Sequence, residues 1–204
     1  MRRWVWITVA VGLAALGAGC ASTKVSDSWT EPNVKPAPVG KIAVVGLTDD
    51  AVVKRLFEDT FAARLRERGN DATASYSFIQ TGPNTNPDSL AATLRTAGYS
   101  AALTARSLGS EMTETVTPGR GYYIPDSYYG WGSYYMMSYT TMGSGGYYER
   151  SEKVVIEANL FDLSSERLIW AARSKTTKQA KLKESVADYN SVIVSELAKS
   201  GWIK

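Results

Sequence analysis

Hydrophobic and polar positions follow three rhythms along this chain, and each predicts a kind of element. Ile42-Ala43-Val44-Val45-Gly46-Leu47 is an unbroken apolar run ended by Thr48-Asp49-Asp50, which predicts a buried strand followed by a helix cap. From Ala51 to Arg68 the spacing changes. Val53, Phe57, Phe61 and Leu65 recur every fourth place, Val52 and Leu56 widen the stripe, and charges occupy the other face. That is the period of an amphipathic helix, and Gly69 supplies its stop. A second strand is predicted near Thr73 to Ile79. Asn86-Pro87-Asp88 then carries a cap, a first-turn proline and a first-turn acid, so a helix is expected from there to about Ala97, ended by Gly98. Ser100 to Leu108 reads as a third strand.

The second half is richer in strand patterns. Glu111 to Thr117 alternates, and Glu152 to Leu163 is a long run rich in Val and Ile. Asp162-Leu163-Ser164-Ser165-Glu166-Arg167 makes a turn into a return strand, Leu168-Ile169-Trp170-Ala171-Ala172. Lys183 to Lys199 closes the chain as a helix with Val186, Tyr189, Ile193 and Leu197 on one face and Gly201 at its end. The expected fold class is α/β (α+β), with helices packed on a mixed sheet: β-α-β-α-β, then an antiparallel meander, then a C-terminal helix.

Residues 118–150 fit none of these rhythms. They hold nine of the twelve tyrosines, many glycines and Trp131. A connection this long within a compact domain is either functional or disordered. In the functional reading, Tyr122, Tyr123, Tyr128, Tyr129, Trp131, Tyr134 and Tyr135 offer rigid amphipathic contact area to a protein partner or stacking faces to a glycan. In the other reading the segment is a low-complexity hairpin tip. Apart from Arg120, Asp126 and Glu149-Arg150 it carries no charge, which argues against an electrostatic partner.

The N-terminus is a targeting signal. Met1-Arg2-Arg3 is a positive n-region, Trp4 to Leu16 an uncharged apolar stretch, and Gly17-Ala18-Gly19 a small-residue cleavage region directly before Cys20. The stretch falls short of the roughly 20 apolar residues a bilayer span needs. The layout resembles a bacterial lipobox, with the usual leucine displaced by one place to Leu16 and Gly17 in its position. The domain plan is therefore a signal peptide over 1–19, a lipidated N-terminus and tether over 20–40, and one globular domain over 41–204 carrying the 118–150 insertion. Residues 21–40 are rich in Ser, Thr, Asn, Lys and Pro, the composition of an extended spacer. Trp29 is the exception, and docks either on its own domain or on a partner.

Composition narrows the chemistry. Cys20 is the one cysteine among 204 residues, so no intramolecular disulfide can form. Lipid on Cys20 would consume a thiol that is a liability in an oxidising compartment, and more than one acyl chain gives stable anchoring. Ala21-Ser22, without an aspartate, resembles an outer-membrane address. The chain has no histidine, which removes His/Cys zinc sites and Ser-His or Cys-His nucleophiles. No Gly-rich phosphate loop is present. A net charge of +3, lowered when Arg2 and Arg3 leave with the signal, gives no footprint for nucleic acid. No metal or cofactor is implied. A carboxylate pair for hydrolysis is the remaining enzymatic route, but Asp49, Asp50, Glu58, Asp59, Asp88 and Glu152 all sit where caps and solvated faces account for them.

Several of these features together resemble a group of uncharacterised bacterial lipoproteins: the lipobox, Ser28-Trp29-x-x-Pro32, Lys41 to Leu47, Phe57-x-x-x-Phe61, and Leu160-Phe161-Asp162-Leu163 through Trp170. Their domains are similar in outline to the N-terminal domain of TolB and to the lipoprotein activator of penicillin-binding proteins. The resemblance implies a non-enzymatic periplasmic role, an adaptor or accessory factor for an envelope protein complex. A peptidoglycan-binding module using the Tyr-rich segment is the alternative from another class, and the 118–150 insertion departs from those relatives.

Overall fold

The computed structural model describes residues 23–111, 130–132, 135, 153–177 and 181–204. Cys20 and Tyr122, Tyr123, Tyr128, Tyr129 and Tyr134 lie outside the described residues, as do 112–117 of the predicted strand at Glu111–Thr117. The chain runs β1 (Thr23–Thr30), β2 (Ile42–Gly46), α1 (Ala51–Glu67), β3 (Ala72–Ala74), α2 (Pro87–Thr96), β4 (Ala101–Glu111), β5 (Lys153–Asp162), β6 (Arg167–Thr177) and α3 (Leu182–Lys199). The strands form a six-stranded mixed sheet in the order β1-β6-β5-β4-β2-β3. β2 is parallel to β3 and β4, while β4-β5, β5-β6 and β6-β1 are antiparallel. The expected α/β class and the C-terminal helix are both present.

Strand period sorts the apolar side chains onto two faces. Ile42 and Val44 of β2 face one core, with Leu103 of β4 and Leu160 of β5; α1 and α3 cover it with Phe57, Phe61, Leu65, Tyr189, Ile193 and Leu197. Ala43, Val45 and Leu47 face a second core with Phe161 of β5, covered by Leu90, Ala91 and Leu94 of α2. Because β2 is buried on both faces it reads as a continuous apolar run, as parallel strands do. Asn190 of α3 ties the two helices of the first face, its Nδ2 donating to the Phe57 carbonyl at 3.2 Å and to Thr60 Oγ1 at 2.6 Å.

Local signals set the helix ends. Asp50 caps α1, its Oδ1 accepting the amides of Val52 and Val53, and Asn86 caps α2 through the amides of Asp88 and Ser89. Gly69, Gly98 and Gly201 follow α1, α2 and α3 at φ of 79°, 80° and 84°, where a Cβ would be strained.

Three expectations change. The predicted tether contains an edge strand: β1 pairs with β6 from Thr23↔Thr176 to Thr30↔Trp170, with an irregularity between Val25 and Asp27. Its polar composition is that of an edge strand, which buries little and is disguised from hydropathy patterning. Trp29 docks on its own domain, against the second core. The predicted strand at 73–79 is short, because Ser75–Ser77 form a 3-10 turn. That turn is held by Glu58, which is fully buried, not on the solvated face of α1.

Candidate functional site

The first face of the sheet has a gap. The opening turns of α1 and α3 leave a cavity of about 430 Å³ between them and the sheet. Val154 and Ile156 of β5 and Phe57 of α1 line it with Val53 and Val186, and Tyr189 stands 6.2 Å from Phe57 between ring centroids. Leu182 also lines it and is 46% exposed. The polar lining residues are Thr48, Arg106, Ser107, Thr176, Ser185 and Tyr189; no carboxylate is among the described lining residues. The cavity lies at the carboxyl end of β2 and beside the middle of β4, just past the stretch where the two strands pair in parallel. Its volume falls in the range of roughly 300–1,000 Å³ typical of ligand pockets. Such a wall accepts an apolar group.

Beside this gap sits a buried carboxylate. Glu58 Oε1 accepts the Gly46 amide at 2.9 Å and Ser75 Oγ at 2.9 Å, and its Oε2 accepts the Tyr76 amide at 2.9 Å. Lys54 Nζ closes the group, 2.7 Å from Glu58 Oε1 and donating to the Gly46 carbonyl at 2.7 Å. Every contact is to this chain's own frame, so Glu58 joins α1, the end of β2 and the 3-10 turn. A shallower hollow of about 580 Å³ lies outside it, lined by Lys54, Arg55 and Tyr76 among others. The Tyr76 hydroxyl donates to Asp59 at 2.6 Å, and this bond holds the phenol's pKa above its usual value.

A second buried charge pair crosses the sheet. Arg106 Nε meets Glu157 Oε2 at 2.9 Å, and Arg173 and Asp27 continue the register on β6 and β1, giving alternating signs across four strands. The sequence signal for the pair is a charge in phase with a buried alternation, as in Ala102-x-Thr104-x-Arg106.

The two described aromatics of the insertion are placed inside the domain. Trp131 and Tyr135 are both fully buried in the second core. The indole stands edge-on to Phe161 at 5.6 Å between centroids and donates to the Pro87 carbonyl at 2.9 Å. The Tyr135 hydroxyl and the Gly82 backbone are 3.1 Å apart. The Trp131 amide donates to Glu166 in the β5–β6 turn at 3.2 Å. Neither ring is presented to a partner or a sugar. The reason is coverage: α2 has only ten residues, and the two rings extend the cover it gives. Asp49, Asp50 and Asp88 are exposed at helix starts, as expected, and Glu152 lies outside the described residues. Among the described residues, no group of three or more Asp, Glu or Cys could hold a metal.

No family model matches the sequence, and no curated protein matches it. Among solved structures, two of the PelC dodecamer from Paraburkholderia phytofirmans resemble it at a TM-score of 0.47. They show 17% and 14% identity, over 85% and 89% of this chain and 96% and 99% of theirs. The lipoprotein GNA1162 from Neisseria meningitidis is similar at a TM-score of 0.38 and 15% identity, over 79% of this chain and 98% of that one. Among the described residues, no helix is long and apolar enough to cross a membrane.

Proposed function

We propose that this chain is a non-enzymatic, lipid-anchored accessory lipoprotein of the cell envelope, held through Cys20 to the periplasmic face of the outer membrane, and that its domain binds an envelope protein. The observation that carries this reading is the position of β1. Its first residue, Thr23, is three residues beyond Cys20 and already hydrogen-bonded into the sheet, with Thr23 Oγ1 3.0 Å from Thr176 Oγ1. Three extended residues reach about 10 Å. A lipid on Cys20 would therefore hold one particular end of the sheet against the membrane, an orientation that a long flexible tether would not impose. The segment bearing the remaining tyrosines joins at that same end, since Glu111 pairs with Lys153 there. The absence of histidine from the sequence and the lack of a carboxylate among the described lining residues of the cavity support a binding role over catalysis.

Intact-mass analysis of membrane-extracted protein, beside a full-length Cys20→Ala version, tests the anchor. Acyl mass and membrane association should both be lost in the variant. Replacing Tyr122, Tyr123, Tyr128, Tyr129 and Tyr134 with Ala should leave a folded domain that no longer captures its envelope partner in cross-linking from whole cells. A cleaved but unlipidated wild-type protein would overturn the reading.

A further inference from the structure

The cavity and the anchor meet at one end of the fold. Thr176, which lines the cavity, is the residue whose hydroxyl contacts Thr23. Both threonines are buried, at 3% exposure each, so the chain enters the sheet directly beside the cavity wall. Cys20 precedes Thr23 by three residues, within about 10 Å of it. The lining is more apolar than polar, with Leu182 partly exposed to solvent. The geometry points to one occupant: an acyl chain of the lipid on this protein's own Cys20, folded back between α1 and α3. This assignment rests on the lipoprotein reading above.

The physical case has two parts. Removing methylenes from water is favourable in any apolar setting, so a chain gains comparably from the cavity and from a bilayer. The short connection makes the cavity a local competitor, because the lipid is held near it at high effective concentration. A lipoprotein carries more than one acyl chain, so one can enter the cavity while others hold the membrane; a single chain would do so only marginally. Occupation would bring the sheet end flush with the membrane and cover Val154, Ile156 and Leu182.

Cells producing the full-length protein are grown on palmitate bearing a terminal diazirine, their membranes irradiated, and cross-linked peptides mapped by mass spectrometry. Label on Cys20 should cross-link in cis to the peptides holding Val53 and Phe57, Val154 and Ile156, or Leu182 and Val186. Val186→Trp, which fills the cavity, should lower that yield several-fold, and Leu182→Asp should do so without touching the deep core. Both variants are checked for folding by thermal melts. Label on Cys20 that reaches only phospholipid, or only peptides outside the cavity, overturns the assignment and leaves the anchor intact. Cavity peptides labelled equally in Cys20→Ala protein would show a free or bilayer lipid there, which also overturns it. No label on Cys20 at all overturns the anchor reading, and this assignment with it.

Discussion

Glu58, on the inner side of α1, accepts the amide hydrogen of Gly46, the last residue of β2, at 2.9 Å, and so fixes where the strand stops and the helix begins to pack. Gly46 has little room to do otherwise, since a Cβ there would come within 3.1 Å of Phe57. Glu58→Gln places an amide N–H₂ against groups that all donate. The expected loss is about 2–3 kcal/mol, the scale of an unsatisfied buried polar group with a charged neighbour. Urea unfolding should show a lower midpoint with an unchanged slope.

Arg106 and Glu157 are paired at 3% and 0% side-chain exposure. Removing Arg106 takes away one of the groups that compensate the buried Glu157 carboxylate, so Arg106→Met should destabilise by about 3 kcal/mol. Replacing both, as Arg106→Met with Glu157→Leu, should cost clearly less than the sum of the singles. A double-mutant cycle by chemical denaturation checks this.

Trp131 belongs to the core by its contacts. Trp131→Ala should cost about 3–5 kcal/mol, the range for deleting a large buried aromatic. Trp131→Phe should recover part of that while losing the bond to the Pro87 carbonyl. If Trp131→Ala left the melting temperature unchanged, the indole would not be buried as described.

Asp162 gives the domain an acid-side dependence. Burial raises its carboxyl pKa, but bonds from the Ser164 hydroxyl and from the Ser165 and Ser164 amides outweigh it and leave the pKa below the usual value. A depressed folded pKa contributes stability that is fully present above the unfolded value and is lost as pH falls through the folded one. Asp162→Asn should therefore flatten part of the loss of stability on acidification. Unfolding midpoints of the two proteins over the acid range should converge as pH falls.

Much of the fold was legible because its signals are local. Asp50 and Asn86 announce caps, Gly69 and Gly98 announce stops, and the stripe from Phe57 to Leu65 names the buried face of α1. The strand at β1 was not legible, because its residues alternate weakly and its pairing partner Arg173 lies far along the chain. Glu58 was misread for a related reason. A glutamate beside Phe57 on a charged helix looks solvated until the Ser75 turn and the β2 terminus are brought to it. The cavity had no sequence signature at all, since its lining comes from β2, α1, β4, β5, β6 and α3.

By itself the sequence determined the order and ends of most elements and the two-faced burial of β2. Those depend on periodicity, capping and composition within a few residues. Tertiary structure alone decided that the N-terminal segment is a strand, that Trp131 and Tyr135 fill a core, and that an apolar cavity opens beside the point where the chain enters the sheet. Each of these depends on which distant groups come to share one face, and burial and pairing are settled by that meeting, not by the residues' own preferences.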